Sequence, residues 1–143
     1  MIAVFAIDRV TKFFFLNETT RQIFPAILET TYHQNFGLIA NFPMPLWMIL
    51  TFTTIILVVI IWKIIEALPS TVYRLPSTVY ALSLIAGGAF GNLFDRLTMG
   101  YVFDWILLFN RSVINVADIA IAIGIGWYVY THRTISQSSC LKK

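Results

Sequence analysis

The sequence has few charged residues and almost no cysteine. Only 12% of its 143 residues are charged and its mean hydropathy is +0.77, whereas an average soluble domain carries about 25% charged residues. The net charge of +3 includes no basic run long enough to indicate nucleic-acid binding. The single cysteine, Cys140, excludes an internal disulfide, and no Cys/His cluster has metal-ligand spacing. These deficits predict an integral membrane protein of one domain, 1–143, with no bound cofactor.

Long charge-free runs predict the membrane spans, because a helix needs about 20 mostly apolar residues to cross a bilayer. We expect spans at about 46–65, 75–94 and 113–131, preceded by a first helix at about 1–16. Only seven residues precede Asp8, which is too short for a crossing. The first helix is therefore short, or it is truncated because the natural chain starts upstream of Met1, and we favour truncation.

Four spans place both termini on one side of the membrane. The basic residues Lys63, Arg74, Arg133, Lys142 and Lys143 lie in the segments on that side, so the positive-inside rule predicts cytoplasmic termini. The loop 17–45 then lies outside, and its alternating stretches predict short strands in a small sheet or flap. The predicted fold is an all-α bundle of four transmembrane helices with this small extracytoplasmic element.

Asp118 lies near the start of the last predicted span, and Asp104 lies fourteen positions earlier, before that span begins. An acid within a membrane segment is a hypothesis for a functional site. Position alone leaves two interpretations open. Asn115 suits a helix N-cap with Asp118 three residues later, in which case Asp104 is an ordinary interfacial acid. Alternatively, the two acids form a catalytic pair.

A catalytic pair of carboxylates accounts for hydrolysis without a metal or a covalent intermediate. Two carboxylates in close contact cannot both ionise easily, so one keeps its proton. The ionised group then takes a proton from water while the other polarises a carbonyl or protonates the leaving amine. The sequence offers no Ser/His or Cys/His set as a rival nucleophile.

Other polar residues each have two interpretations. Asp8 and Lys12 have the i, i+4 spacing of an ion pair, which we expect to be buried and structural. The segment Gly87–Asn92 combines glycines that favour close helix packing with an amide, Asn92, that needs partners. Asp95-Arg96 is either an interfacial stop or a pair that orients the next loop. Asn35-Phe36-Gly37 is either a turn or a contact for the substrate backbone.

Five motifs in order resemble those of the lipoprotein signal peptidases, also called signal peptidase II. The glycine-to-arginine block and the Asn-Val-Ala-Asp block are the specific ones, and the order and spacing of all five make a chance match improbable. The motifs are Asp8-Arg9-Val10-Thr11-Lys12, Asn35-Phe36-Gly37, Gly87-Gly88-Ala89-Phe90-Gly91-Asn92-Leu93-Phe94-Asp95-Arg96, Val102-Phe103-Asp104 and Asn115-Val116-Ala117-Asp118.

The resemblance implies a four-helix aspartyl endopeptidase with a small extracytoplasmic β-cradle in the bacterial inner (cytoplasmic) membrane. It implies cleavage of diacylglyceryl-modified prolipoproteins just before the lipidated cysteine, by a monomer whose active site lies near the extracytoplasmic face. Asp104 and Asp118 would be the catalytic pair. Supporting roles are implied for Asp8, Lys12, Asn35, Gly88, Asn92, Arg96 and Asn115.

The chain also departs from the family pattern. It has Leu38-Ile39-Ala40-Asn41 where Ala-Ala-Phe-Ser is common, Ile114 where Phe is usual, and a shorter stretch between the two acids. The alternative to a peptidase is therefore a catalytically degenerate member of the family that binds lipidated signal helices without cutting them. A proton-coupled transporter is disfavoured, because the sequence has neither an acid deep within a span nor a repeat of helices.

Overall fold

The computed structural model describes residues 1–16, 21–24, 27–38, 42–68 and 77–140. Within these ranges the chain forms helices and one small antiparallel sheet. The helices are α1 (Ile2–Phe15), α2 (Leu46–Ala67), α3 (Ser77–Met99) and α4 (Val116–Cys140). The strands are β1 (Arg21–Phe24), β2 (Leu28–Asn35), β3 (Val102–Leu108) and β4 (Ser112–Ile114).

Helix α3 is the centre of the helical part and packs against α1, α2 and α4. Its glycines allow the close approach: a Cβ on Gly88 would lie 2.4 Å from the carbonyl oxygen of Ala117 in α4. In the reverse direction, a Cβ on Gly124 of α4 would lie 2.8 Å from the carbonyl oxygen of Ala81. These distances are too short for any side chain, which confirms that the glycines serve helix packing.

Among the described residues, two helices are long and apolar enough to cross a membrane. They are α2, with a hydropathy of 2.5, and α3, with 1.3. Large apolar side chains of α2, including Trp47, Ile55, Val58 and Trp62, are exposed on the surface of the protein. An apolar surface of this extent favours a lipid environment over water.

The sheet has the strand order β1-β2-β3-β4 with antiparallel pairing throughout. Strands β1 and β2 lie in the loop where short strands were predicted. Strands β3 and β4 were not predicted, and α4 begins at Val116, three residues after the approximate start of the last predicted span. Val113 and Ile114 instead pair with Leu107 and Ile106 of β3, and apolar residues suit a strand as well as a helix.

The shortened stretch between the two acids forms a tight hairpin. Ile106 pairs with Ile114, and the turn contains Phe109 and Asn110 in the left-handed region with φ of 51° and 50°. Asp104 lies two residues before this pair and Asn115 one residue after it. The hairpin therefore brings Asp104 to the start of α4.

Candidate active site

Asp104 and Asp118 meet around one side chain, Asn115. Asp104 is fully buried on β3, and Asp118 is half-buried in the first turn of α4. The amide Nδ2 of Asn115 donates to Asp104 Oδ1 at 2.6 Å, while its Oδ1 accepts from the backbone N–H of Asp118 at 2.9 Å. Asp118 Oδ2 in turn accepts from the backbone N–H of Asn115 at 3.2 Å.

These reciprocal bonds are a capping box, in which the cap residue and the third helical residue satisfy each other's backbone N–H. They confirm the predicted N-cap at Asn115. Capping and pairing of the two acids are therefore not alternatives here. The residue that starts α4 is also the residue that links Asp118 to Asp104.

Every carboxylate oxygen of the two acids accepts an N–H from a neutral amide. Besides the contacts of Asn115, Asn35 Nδ2 donates to Asp104 Oδ2 at 3.0 Å and Asn92 Nδ2 donates to Asp118 Oδ1 at 2.8 Å. Asn115 Nδ2 also donates to Asn92 Oδ1 at 3.0 Å. Three asparagines from β2, α3 and the start of α4 thus fix the orientation of both carboxylates without supplying a positive charge.

The pKa of Asp104 is raised from 3.8 to about 6. Burial is the largest cause because it disfavours the charged form, and the nearby negative charge of Asp118 adds to it. The hydrogen bonds from Asn35 and Asn115 and the charge of Lys12 act in the opposite direction. A carboxyl with this pKa exists in both protonation states near neutral pH, as acid–base hydrolysis requires.

A second polar cluster lies between α1 and α3, and it consists of charged residues. Asp8 and Asp95 are both fully buried. Lys12 Nζ lies 3.0 Å from Asp8 Oδ2 and 2.6 Å from Asp95 Oδ2. Arg9 also pairs with both carboxylates, through Nη2 to Asp8 at 2.6 Å and through Nη1 to Asp95. The predicted Asp8–Lys12 ion pair is therefore confirmed, within a larger network.

Asp95 and Arg96 orient the neighbouring segments, which is the second of their two predicted roles. Asp95 Oδ2 accepts the backbone N–H of Phe103 on β3 at 3.3 Å. Buried Arg96 donates from Nη2 to the carbonyl oxygen of Gly37 at 2.9 Å. The two side chains hold the start of β3 and the segment after β2 against the end of α3.

Asn35-Phe36-Gly37 forms the predicted turn, since the Gly37 N–H donates to Asn35 Oδ1 at 3.0 Å. The same Asn35 side chain holds Asp104. Of the unusual segment Leu38-Ile39-Ala40-Asn41, only Leu38 is described. The contacts expected of the rest with substrate lie outside the described residues.

Sequence reasoning missed two residues near the site. Arg9 was not predicted because the i, i+4 rule selects Lys12 as the partner of Asp8. The feature that could have indicated Arg9 is a second cation beside an acid in an apolar helix. His33 was passed over because its proximity depends on the sheet. It lies directly opposite Asp104 in the pairing of β2 with β3, which the sequence does not show.

Comparison with known proteins gives one consistent result. A family model described as signal peptidase (SPase) II matches residues 1–133. The lipoprotein signal peptidase of Lactococcus lactis subsp. lactis (strain IL1403) is 33% identical over 73% of this chain and 69% of that protein. The lipoprotein signal peptidase of Wigglesworthia glossinidia brevipalpis is 32% identical over 93% of this chain and 91% of its own length.

Solved structures agree with the sequence matches. A bacterial membrane enzyme determined by the in meso method at 2.3 Å superposes with a TM-score of 0.84 at 25% identity, over 96% of this chain and 87% of that one. A second such enzyme, at 1.9 Å, gives a TM-score of 0.77 at 26% identity, over 91% and 87% of the two chains.

Proposed function

Because this chain belongs to the signal peptidase II family, we propose that Asp104 and Asp118 are the catalytic pair of an aspartic endopeptidase that removes signal peptides from lipoprotein precursors. One observation carries the assignment. The two carboxylates are joined through Asn115 and are contacted only by neutral amides among the hydrogen bonds of the described residues. Among the described residues no cation forms an ion pair with either carboxylate, which leaves a proton free to be exchanged between them during the reaction.

The proposed reaction needs one ionised and one protonated carboxyl group. The ionised group takes a proton from a water molecule, whose oxygen attacks the carbonyl carbon of the scissile peptide bond. The protonated group donates its proton to the carbonyl oxygen. When the C–N bond breaks, the proton taken from water goes to the leaving amine. A hydroxyl of the tetrahedral intermediate returns its proton to the group that donated one, so the pair again holds a single proton and is ready for another cycle. The raised pKa of Asp104 supports the presence of such a proton near neutral pH.

The supporting residues act on the orientation of the pair. Asn35, Asn92 and Asn115 fix the carboxylate planes through the hydrogen bonds described above. Gly88 lets the start of α4 approach α3, since any side chain there would collide with Ala117. The remaining three, Asp8, Lys12 and Arg96, tie α1 and the segment after β2 to this arrangement.

We further propose that α2, α3 and α4 cross the bacterial inner membrane, with α1 as a short or truncated first span of a four-helix bundle whose termini are cytoplasmic. The sheet and the catalytic pair would then lie near the extracytoplasmic face, where a translocated precursor presents its lipid-modified cysteine. The exposed apolar surface of α2 and the apolar length of α3 support insertion in lipid. We expect a monomer, because all residues assigned to the site come from one chain.

The decisive experiment is cleavage of a purified diacylglyceryl prolipoprotein by the detergent-solubilised protein. Asp104→Asn and Asp118→Asn should each lower kcat by about 10³- to 10⁴-fold, as expected when a general acid or base is lost. Glu66→Gln is the matched control. It also replaces a carboxylate by an amide, but at an exposed ion pair with Lys63, and it should cut normally.

Thermal unfolding of each variant establishes that it is folded. Undiminished cleavage by either aspartate variant contradicts the assignment of the pair. A folded wild-type protein that binds the precursor and leaves it uncut supports the alternative of a binding protein without peptidase activity.

A further inference from the structure

The charged cluster between α1 and α3 reaches the catalytic pair through the backbone. Asp8 Oδ1 accepts the N–H of Ala117 at 3.2 Å, and Asp95 Oδ2 accepts the N–H of Phe103 at 3.3 Å. Ala117 directly precedes Asp118, and Phe103 directly precedes Asp104. Each member of the catalytic pair therefore follows a residue whose backbone is held by a buried carboxylate of the cluster.

Two cations join these carboxylates to each other. Arg9 and Lys12 each contact both Asp8 and Asp95. We call these four residues the charged frame. Its formal charges sum to zero, because each buried carboxylate is matched by one cation. The separation between Asp8 and Asp95, and with it the separation between the two held backbone positions, depends on these bridges.

Arg9 is the more rigid of the two bridges. Its guanidinium is a planar group whose donors have a fixed geometry, whereas the Lys12 ammonium is a compact charge on a flexible stem. Arg9 also donates from Nη2 to the carbonyl oxygen of Gly91 at 3.2 Å. Its Cζ lies 5.6 Å from the ring centre of Phe5 and 5.2 Å from that of Phe94, within the range of cation–π attraction.

We propose that Arg9 is a positioning residue for the peptidase reaction, which sets the spacing of the catalytic pair by bridging Asp8 and Asp95. This role rests on the proposed function of Asp104 and Asp118. The motif resemblance assigns no role to Arg9 or Asp95. Arg9 acts through the frame carboxylates and the backbone N–H groups that they accept, and the hydrogen bonds of its guanidinium go to Asp8, Asp95 and Gly91.

Loss of Arg9 changes both geometry and charge. Without it, Asp8 and Asp95 share only Lys12, and the frame carries one uncompensated negative charge. Extra negative charge nearby raises the pKa of Asp104 further. The charged and titratable groups that face Asp104 are Lys12 of the frame, Arg96 on α3, His33 on β2, and Asp118 on α4. Of these groups, only Lys12 belongs to the frame that Arg9→Gln alters.

The test is the pH dependence of kcat for Arg9→Gln, with Arg9→Lys and Lys63→Gln as comparisons. We expect Arg9→Gln to lower kcat by about 10- to 100-fold, since a misplacement of about 1 Å can cost 10²-fold, with little change in KM. The alkaline limb of its pH profile, which reports loss of the Asp104 proton, should move to higher pH. Arg9→Lys should restore the wild-type limb, because it restores the charge, and only part of kcat. Lys63→Gln removes a cation from an exposed ion pair and should match the wild type.

Two results overturn the proposal. One is Arg9→Gln with wild-type kcat and pH profile and only a lower Tm, which means a purely structural role. The other is Arg9→Lys that behaves as Arg9→Gln in its pH profile. If Arg9→Gln does not fold, Arg9→Lys decides alone: a reduced kcat with an unchanged limb supports the role and an unchanged kcat overturns it. Failure of the proposed function is a separate result, because it shows as normal cleavage by Asp104→Asn or Asp118→Asn.

Discussion

The protein places two pairs of aspartates close together and surrounds them with different partners. Asp104 and Asp118 receive hydrogen bonds from amides. Asp8 and Asp95 each contact two cations and one backbone N–H. The residue type is the same in all four positions, so the partners determine what each carboxylate can do.

Cations near a buried carboxylate favour its ionised form, and a carboxylate held in this way serves structure. Neutral amides orient a carboxylate while leaving its protonation adjustable. One residue, Asn92, lies between the charged frame and the catalytic pair. Lys12, which bridges the charged frame, donates a hydrogen bond to Asn92 Oδ1 at 3.4 Å. Asn92 in turn donates a hydrogen bond from its neutral amide to Asp118.

The largest expected effect is a loss of stability when one carboxylate of the charged frame is removed. Asp95→Asn should lower the free energy of unfolding by about 3–5 kcal/mol, the usual result of removing one partner of a buried ion pair, because Arg9 and Lys12 would then share a single carboxylate. Chemical unfolding in detergent measures the change. Asp104→Asn is the matched control, since it makes the same substitution at a carboxylate that, in the described part of the chain, has no ion pair. Equal losses in the two variants would contradict the distinction between the pairs.

Local spacing was sufficient to predict several parts of this arrangement. The capping box needs only Asn115 and Asp118 three residues apart, and the Asp8–Lys12 pair needs only the i, i+4 spacing of one helix. The charge-free runs likewise marked α2 and α3. In each case the residues lie on one helix, so their spacing in the sequence is enough to predict the feature.

The parts that were not predicted depend on contacts between distant segments. Strand β3 is an apolar run containing one acid, and its identity as a strand depends on pairing with β2, about seventy positions earlier in the chain. Arg9 and Asp95 are separated by 86 positions. No periodicity relates such residues, and only the packing of α1 on α3 shows that Asp95 belongs to the frame.

The next effect concerns the pH dependence of stability. Asp104 has a pKa of about 6 in the folded protein and an ordinary value of 3.8. The folded state therefore binds more protons between these values, and stability is lost as the pH rises from about 4 through about 6. At about 1.4 kcal/mol per pKa unit, the loss is about 3 kcal/mol.

Unfolding of the wild type and of Asp104→Asn at pH 4 and pH 7.5 tests this dependence. The variant has no carboxyl group at position 104, so its stability relative to the wild type should be higher at pH 7.5 than at pH 4. Any constant cost of placing an amide there cancels in this comparison. A wild-type advantage that grows as the pH rises would mean that Asp104 is held ionised.

The smallest effect separates the two roles of Asn115. Asn115→Ser keeps an oxygen that can cap α4, whereas Asn115→Ala does not, and loss of an N-cap costs about 1 kcal/mol. The free energy of unfolding of the alanine variant should therefore be about 1 kcal/mol lower than that of the serine variant. Both variants lose the amide that donates to Asp104 Oδ1.

Because that hydrogen bond lowers the pKa of Asp104, the alkaline limb of the cleavage profile, which reports loss of the Asp104 proton, should move to higher pH in both Asn115 variants by the same amount. A shift confined to the alanine variant would mean that the cap alone, through the position of α4, controls the pair. Equal shifts with unequal stabilities would show that one asparagine performs two separable tasks: it starts the helix, and it supplies the neutral donor that distinguishes Asp104 from the cation-bound Asp8 and Asp95.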